Sequence, residues 1–300
     1  MTNKQLELVI ADMVAVFGPW GPDTSLDEMR KNWDGIFANV KPTVGATTEA
    51  ADAGGVRGEF ITAPHAAEDQ VILYFHGGGY VLGSIDSHRD MCERFSRSAK
   101  ARVLALDYSL APERPFPAAV YDATTAYHWL IDQGILPSSI AIAGDSAGGG
   151  LAFATLVAAR DAGDPMPACG VTISPWVDLE ATGDSMQSKS AEDPMVQRSM
   201  IQHMGQTYVP NGDLKNPLAA PLHASLEGLP PLLIQVGSRE TLLDDAVRMG
   251  KKAEDDGVDV TLDVWDGQVH VFQIFASRLD EGELAIKQLG AFVRKHMQQE

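Results

Sequence analysis

Residues 144–148 of this chain read Gly-Asp-Ser-Ala-Gly, and this stretch decides the fold. A short apolar run, residues 140–143, precedes it, and an Ala-rich run, residues 149–160, follows it. The pattern predicts a strand, a sharp turn and a helix, with the hydroxyl of Ser146 exposed at the helix N-terminus. Glycines on both sides suit a turn that brings backbone segments too close for a Cβ atom. We therefore predict that Ser146 is a nucleophile, although the five residues alone also fit a plain Gly/Ser turn.

Apolar runs and helical patterns alternate along most of the chain. The runs that predict strands are residues 56–61, 70–75, 102–107, 140–143, 169–174, 231–236 and 260–265. Apolar residues at helical spacing predict helices at residues 86–100, 118–133, 149–160, 241–256 and 281–297. Strands that alternate with helices in this way form a mostly parallel sheet covered on both faces. The sequence thus predicts an α/β fold with a mostly parallel central sheet flanked by helices.

Two segments depart from this alternation. Residues 5 to about 40 have the apolar spacing of two amphipathic helices, and Ser25 is the predicted N-cap of the second. Residues 180–222 are polar and rich in methionine, and they predict a helical insertion between two strands. We therefore expect N-terminal cap helices in residues 1–45 and an α/β catalytic domain in residues 46–300, with a cap insertion at about 180–222. The methionines suit an adaptable apolar pocket, although core packing is their commoner role.

The charge balance argues against some classes of partner. The 300 residues include 23 basic and 41 acidic ones, which gives a net charge of −18. Nucleic acids and anionic membrane surfaces attract basic proteins, so neither is an expected partner. The acidic composition indicates solubility or, alternatively, adaptation to a salty environment.

The cysteine count and the N-terminus bear on the compartment. Two cysteines, Cys92 and Cys169, do not make a disulfide framework, which is typical of a reduced, cytoplasmic setting. The N-terminus lacks the apolar core of a signal peptide, and no run approaches the length of a membrane-spanning helix. We therefore expect a cytoplasmic protein without a membrane span.

A glycine-rich loop follows the predicted strand 70–75. Residues 76–79 read His-Gly-Gly-Gly, and three consecutive glycines allow backbone N–H groups to turn toward a neighbouring site. Fixed N–H donors stabilise the oxyanion that forms during acyl transfer. Such a loop can also hold phosphate, but the Gly-Lys-Ser/Thr of a P-loop is absent from the sequence. We interpret His76, which precedes the nucleophile in the chain, as a residue that braces the loop.

A nucleophilic serine on such a turn requires an acid and then a histidine further along the chain. His270 fits the role of base, since it lies on a loop directly after the predicted strand 260–265. The other histidines that follow Ser146 are less suitable, because two lie in the insertion and one near the chain end: His203, His223 and His296.

The acid is expected on the loop after the predicted strand 231–236, where a carboxylate could accept the Nδ1 proton of His270. Three residues compete for this role, Glu240, Asp244 and Asp245. Glu240 is nearest the strand end. Asp244 and Asp245 are predicted in the first turn of the next helix, where the helix dipole alone favours acidic residues. The local pattern leaves the three alternatives open.

Together these motifs resemble the bacterial hormone-sensitive-lipase-like esterases, family IV of the lipolytic enzymes in the α/β-hydrolase superfamily. The likeness runs from about residue 40 to the end of the chain, in the family's order. The residues that carry it are 76–79, 107–113, 144–149, 174–176 and 267–272. The resemblance implies an α/β-hydrolase fold with the N-terminal helices as part of a cap.

The resemblance also implies a catalytic triad. Ser146 would be the nucleophile and His270 the base. The family acid is commonly the first Asp of an Asp-x-Leu-x-Asp pattern, which here reads Glu-Thr-Leu-Leu-Asp at residues 240–244. Glu240 would therefore be the acid, in place of the usual Asp.

The backbone N–H groups of Gly78, Gly79 and Ala147 would form the oxyanion hole, and Asp107 and Glu113 would brace the oxyanion loop. The resemblance implies a serine carboxylesterase that cleaves short- to medium-chain acyl esters through an acyl-enzyme, with no metal and no cofactor. The expected partner is a small-molecule ester, and the likeness is compatible with a homodimer.

Two other functions stay open on the same fold. An arylformamidase or another amide hydrolase would use the same three side chains. A non-catalytic protein that binds a small ligand is a further alternative. Plant gibberellin receptors resemble this family but lack the catalytic histidine, which is present here as His270.

Overall fold

The computed structural model describes residues 4–21, 23–37 and 45–297. In this part of the chain one sheet contains the strands β1 (Thr47–Asp52), β2 (Arg57–Thr62), β3 (Ala67–Phe75), β4 (Ala101–Leu106), β5 (Ile140–Asp145), β6 (Cys169–Ile173), β7 (Leu232–Gly237) and β8 (Val260–Trp265). Their order in the sheet is β1-β2-β4-β3-β5-β6-β7-β8. Only the β1–β2 and β2–β4 pairs of this sheet are antiparallel, which confirms the predicted mostly parallel sheet.

Helices cover this sheet. In the described residues they are α1 (Lys4–Phe17), α2 (Leu26–Phe37), α3 (Ile85–Ala99), α4 (Ala118–Asp132), α5 (Ala147–Ala162), α6 (Ser185–Ser188), α7 (Arg198–Tyr208), α8 (Leu243–Asp255) and α9 (Asp280–His296). Helix α3 packs against α9, and α4 packs against α5. Within the same residues, no helix combines the length and the apolar character that crossing a membrane requires.

The burial of a strand's side chains explains whether the sequence predicts that strand. Every residue of β5, β6 and β7 is buried, and strands of this kind read as continuous apolar runs. The sequence does not predict β1, because this edge strand is almost wholly exposed and has no apolar pattern.

The N-terminal helices follow the predicted pattern. The buried residues of α1 recur at three- and four-residue spacing: Leu6, Val9, Met13 and Phe17. The hydroxyl of Ser25 accepts a hydrogen bond from the backbone N–H of Glu28 at 3.2 Å, which confirms Ser25 as the N-cap residue of α2. The insertion between β6 and β7 contains α6 and α7, as its composition predicts.

Arg30 fastens α2 to the body of the protein. Its guanidinium donates two hydrogen bonds to the carboxylate of Glu113, at 2.7 and 2.9 Å. It also donates to the carbonyl oxygens of Val81 at 2.9 Å and Ala111 at 3.3 Å. The hydrogen bond from Arg30 lowers the pKa of Glu113 to about 2, so this carboxyl group is ionised at neutral pH. Since Val81 follows the glycine-rich loop, Arg30 connects the N-terminal helices to that loop.

Replacing Arg30 with Gln should lower the free energy of unfolding by about 1–2 kcal/mol, because hydrogen bonds from a charged group are lost. Thermal denaturation measures the change. The matched control is Lys31→Gln, which removes one positive charge from an exposed neighbour and should have little effect. An equal loss of stability in both variants would contradict a specific role for Arg30.

The same pair has an expected pH dependence. Because the pKa of Glu113 is about 2 in the folded protein against an ordinary 4.5, pairing stabilises the fold fully above about pH 4.5. The stabilisation is lost as the pH falls toward 2. The stability difference between the parent and Arg30→Gln should therefore shrink over that interval.

Candidate active site

Ser146 lies on a strained turn between β5 and α5. Its backbone φ and ψ angles are 52° and −119°, in a region that residues with a Cβ atom rarely adopt. The N–H of Ser146 donates to the carbonyl oxygen of Ile173 at 2.9 Å, and the N–H of Trp176 donates to the carbonyl oxygen of Ser146 at 2.9 Å. These bonds hold the turn against the end of β6.

The glycines of this turn allow a very close approach to β3. A Cβ atom on Gly144 would lie 2.2 Å from the carbonyl oxygen of Gly148. A Cβ atom on Gly148 would lie 2.0 Å from the carbonyl oxygen of Phe75. Both positions therefore require glycine, which is the physical reason for the motif.

The structure brings three of the predicted side chains together. His270 Nε2 lies 3.0 Å from Ser146 Oγ, and His270 Nδ1 lies 2.6 Å from Glu240 Oε2. The three residues stand at or just beyond the carboxyl ends of β5, β8 and β7, where ligand sites of parallel sheets form. His270 and Glu240 are buried, so water does not compete for the contact between them.

The two aspartates that compete for the role of acid have other partners. Both lie in the first turn of α8, as predicted. Asp244 Oδ2 accepts the N–H of Ser185 at 2.8 Å. Asp245 Oδ2 accepts the backbone N–H groups of residues 177 and 178, at 3.0 and 3.1 Å. These bonds tie each carboxylate to the insertion or to the segment after β6, and neither contacts His270 in the described residues.

Ser174, directly after β6, holds both Glu240 and the loop of His270. Its hydroxyl donates to Glu240 Oε1 at 2.8 Å and accepts the N–H of Val271 at 3.1 Å. Glu240 Oε1 also accepts the N–H of Gly237 at 2.6 Å. Sequence reasoning misses this role and marks Ser174 only as part of a family motif. A polar residue at the carboxyl end of a buried strand is the signal that could have identified it.

The glycine-rich loop lies beside Ser146. Gly78 and Gly79 adopt positive φ angles of 120° and 63°, and both line the same cleft as Ser146. Ala147 is the first residue of α5, where backbone N–H groups have no partner within the helix. Among the described residues, the N–H groups of Gly78, Gly79 and Ala147 donate to no acceptor in the protein. These three donors are therefore available to a bound molecule.

The buried carboxylate of Asp145 binds the first residue of the glycine-rich loop after His76. Asp145 accepts the backbone N–H of Gly77 at 3.0 Å and the hydroxyl of Tyr74 at 2.6 Å. His88 Nε2 lies 3.3 Å from Asp145 Oδ2. Asp145 is a variable position of the Gly-x-Ser-x-Gly pattern, so the motif does not indicate this function.

The residues predicted to brace the loop have distinct contacts. His76 Nδ1 lies 2.8 Å from the carbonyl oxygen of Gly77, and its ring stacks on Tyr108 at 4.3 Å. Burial lowers the pKa of His76 to about 4, so its ring is neutral at pH 7. Asp107 Oδ1 accepts the N–H of Ile85 at 2.9 Å, at the start of α3. Glu113 reaches the loop through Arg30.

The pKa of His270 is raised above its usual value of 6.5. Burial by itself lowers this pKa, but the negative charge of Glu240 and the hydrogen bond with it act in the opposite direction and prevail. The charges of Asp193 and Asp145 raise it further. The site therefore stabilises a proton on this imidazole.

An apolar cleft of about 600 Å³, its open mouth included, leads to Ser146. The N-terminal segment and the insertion supply much of its wall: Phe17, Trp20, Trp33, Met195, Met200 and Met204. Three methionines of the insertion thus line a pocket, as one of the two sequence interpretations predicts. Met186, Met195 and Met204 also belong to the hydrophobic core, and Met200 packs against it, so the core-packing interpretation holds as well.

In the part of the chain that the structure describes, one group outside the cleft has donor atoms close enough to hold a metal ion. Ligand atoms of Asp178, Glu180 and His223 lie within 4.8 Å of one another. Arg248 already pairs with Asp178 at 3.0 Å, and Lys215 pairs with Glu180 at 3.2 Å. A metal ion at this group would therefore compete with Arg248 and Lys215 for the carboxylate oxygens.

Known proteins resemble this chain in sequence. Residues 72–274 match a family described as the alpha/beta hydrolase fold. An acetyl-hydrolase of Streptomyces hygroscopicus is 42% identical over 276 residues, which cover 88% of this chain and 92% of that protein. An esterase of Acinetobacter venetianus is 36% identical over 240 residues, which cover 79% of this chain and 78% of that protein.

Solved structures resemble it over nearly its whole length. An esterase from the bacterial hormone-sensitive lipase family superimposes with a TM-score of 0.96 and 45% identity, covering 99% of this chain and 100% of the other. EstE5, in a crystal soaked with p-nitrophenyl butyrate, superimposes with a TM-score of 0.95 and 44% identity, covering 99% of each chain.

The sheet topology and the strained turn at Ser146 define the class of this protein as an α/β hydrolase. Within that class, the chain belongs to the bacterial hormone-sensitive lipase family. It is a carboxylic ester hydrolase, as the sequence motifs predict. The arylformamidase and ligand-binding alternatives gain no support from these relatives.

Replacing Ser174 with Ala should lower kcat roughly tenfold and leave KM nearly unchanged, because Glu240 loses one of two hydrogen bonds at Oε1. Steady-state kinetics with p-nitrophenyl acetate measures both constants. The control is Ser188→Ala, an exposed position in α6, which should match the parent. A parental kcat in Ser174→Ala would contradict the positioning of Glu240 by Ser174.

Proposed function

We propose that the protein hydrolyses short- to medium-chain acyl esters through an acyl-enzyme intermediate on Ser146. The observation that carries the proposal is the line of contacts from Ser146 Oγ through His270 to Glu240, at 3.0 and 2.6 Å. A serine hydroxyl in such contacts can transfer its proton to the imidazole as it attacks a carbonyl carbon. Glu240 accepts the Nδ1 hydrogen, fixes the tautomer, and stabilises the imidazolium that forms.

In the first half of the reaction, Ser146 Oγ bonds to the ester carbonyl carbon while its proton passes to His270 Nε2. The carbonyl oxygen becomes an oxyanion, which the N–H groups of Gly78, Gly79 and Ala147 bind. His270 then gives the proton to the alcohol oxygen, and the bond between carbonyl carbon and alcohol oxygen breaks. The alcohol leaves, and the acyl group stays on Ser146.

In the second half, water takes the place of the alcohol. His270 accepts a proton from this water, whose oxygen bonds to the acyl carbon and forms a second oxyanion on the same three donors. The proton returns to Ser146 Oγ as the acyl bond breaks, and the carboxylic acid is released. The same imidazole therefore acts as base and acid in turn.

The cleft supports an acyl group of limited length. The cleft encloses about 600 Å³ with its open mouth included, and aromatic and methionine side chains bound it. An apolar wall favours burial of alkyl groups, while the limited space disfavours long chains. The name acetyl-hydrolase of the Streptomyces relative and the p-nitrophenyl butyrate soaked into EstE5 agree with this size.

A chain-length series of p-nitrophenyl esters tests the proposal. We expect the highest kcat/KM with acetyl or butyryl ester and a fall of roughly tenfold or more for dodecanoyl ester. Ser146→Ala should lose about five to six orders of magnitude in kcat and serves as the blank. Increasing kcat/KM up to the dodecanoyl ester would contradict the size limit, and faster cleavage of an aryl formamide than of the acetyl ester would favour amide hydrolysis.

The choice of acid has a separate test. Glu240→Ala should lose several orders of magnitude in kcat, because the imidazole loses its only direct carboxylate contact among the described residues. Asp244→Ala should lose far less, because Asp244 binds the N–H of Ser185 instead. Kinetics on p-nitrophenyl butyrate compares the two. A greater loss in Asp244→Ala would reverse the assignment.

A further inference from the structure

A second buried carboxylate, that of Asp193, lies near the proposed triad. Asp193 belongs to the insertion, between α6 and α7, and only 4% of the residue is exposed. Its Oδ1 accepts the backbone N–H groups of Met195 at 2.9 Å and Val196 at 2.8 Å. Its Oδ2 accepts the backbone N–H of Thr241 at 2.8 Å and the Thr241 hydroxyl at 3.1 Å.

These contacts favour the charged form of Asp193, although its pKa is raised above the ordinary value because the residue is buried. Burial raises the pKa of Asp193, while the charge of His270 and the backbone N–H donors oppose the rise. Each carboxylate oxygen already accepts at least one backbone N–H, a group that can only donate. A proton on Oδ1 would have no acceptor, and a proton on Oδ2 could reach only the Thr241 hydroxyl, so these contacts favour the ionised carboxylate.

The same contacts connect the wall of the substrate cleft to the acid loop, the segment after β7 that contains Glu240 and Thr241. Met195 and Val196 line the cleft. Thr241 directly follows Glu240, and its hydroxyl also lies 3.2 Å from the carbonyl oxygen of Val196. The Asp193 carboxylate therefore ties the cleft wall to Thr241, the neighbour of Glu240 in the chain.

We propose that Asp193 is a positioning residue for ester hydrolysis, which holds the Glu240 loop against the cleft wall and adds a second negative charge that stabilises protonated His270. This inference rests on the proposed function of Ser146, His270 and Glu240. Asp193 acts through its neighbours, since its own hydrogen bonds go to Met195, Val196 and Thr241.

The charged groups that act on His270 come from three elements. Glu240 follows β7, Asp193 belongs to the insertion, and Asp145 ends β5. All three carboxylates are buried, where charge interactions are stronger than in water. Asp193 needs no direct contact with the imidazole, because its charge acts across the low-dielectric interior.

Steady-state kinetics of Asp193→Asn over a range of pH tests this role. In the parent, kcat/KM should fall at low pH with a midpoint above 6.5, because protonation of His270 removes the base and its pKa is raised. In the variant the midpoint should move down by roughly half a unit to one unit, since one negative charge near His270 is gone. At the pH optimum kcat should fall roughly ten- to a hundredfold with little change in KM, because the acid loop shifts.

Glu192→Gln is the matched control. It removes one carboxylate charge from the adjacent residue, whose side chain is 42% exposed and pairs with Lys189 and Arg239 on the surface. Solvent screens that charge, so the control should keep the parental midpoint and kcat. A midpoint that moves equally in both variants, or in neither, overturns the proposal. A lower melting temperature in Asp193→Asn with parental midpoint and kcat also overturns it, because the role would then be structural only.

Two further variants keep the test decisive if Asp193→Asn does not fold. Thr241→Val keeps the backbone N–H but removes the hydroxyl donor, so kcat should fall roughly three- to tenfold while the midpoint stays parental. Asp193→Glu keeps the charge and should keep the midpoint. The proposal is overturned if Thr241→Val keeps the parental kcat. It is also overturned if the midpoint of Asp193→Glu falls as far as the midpoint expected for Asp193→Asn. Inactivity of the parent would instead contradict the proposed function itself.

Discussion

The close approach of the β5–α5 turn to the end of β3 is the constraint on which the site depends. A Cβ atom on Gly148 would lie 2.0 Å from the carbonyl oxygen of Phe75, so at this point the two segments approach with no room for a side chain between them. Phe75 and Gly144 are partners in the parallel β3–β5 ladder. The glycine-rich loop after β3 and the serine turn after β5 therefore leave the sheet side by side. This adjacency puts the free N–H groups of Gly78 and Gly79 beside Ser146 without long flexible connections.

Residues 240–245, which comprise the end of the loop after β7 and the first turn of α8, connect this site to the insertion. Ser174 binds Glu240, Asp193 binds Thr241, and Ser185 binds Asp244. Most of these bonds are buried, and breaking one would leave an unsatisfied polar group in the interior, which costs more than the bond contributes when formed. The insertion is therefore part of the framework that holds the acid. The N-terminal helices differ, because Arg30 and apolar contacts attach them.

Local patterns predict those parts of the fold and site whose physical cause is local. Buried parallel strands read as apolar runs, and the strained turn needs glycines within a few positions of Ser146, so both are visible in the sequence. The proposed acid is harder to predict, because Glu240, Asp244 and Asp245 lie within six residues and the contact that distinguishes Glu240 is with His270, 30 positions away. Asp193 and Thr241 stand 48 positions apart, and no local pattern signals their contact. The edge strand β1 is not predicted from the sequence, because neither of its faces is buried and it has no apolar pattern.

Neutral hydrogen-bond donors compensate two of the carboxylates whose charge acts on His270. Glu240 and Asp193 accept hydrogen bonds from backbone N–H groups and from the hydroxyls of Ser174 and Thr241. Such donors stabilise a buried ion while leaving its net charge in place, so it can still act on a neighbouring imidazole.

An arginine paired with Glu240 or Asp193, in place of these neutral donors, would cancel most of the negative charge of that carboxylate. Arginine is found instead where elements are attached to one another: Arg30 of α2 pairs with Glu113, and Arg248 of α8 pairs with Asp178 and Asp245. Hydrogen bonds to neutral donors therefore leave negative charge uncancelled near His270. In the proposed mechanism this charge lowers the energy of the steps in which that imidazole is protonated.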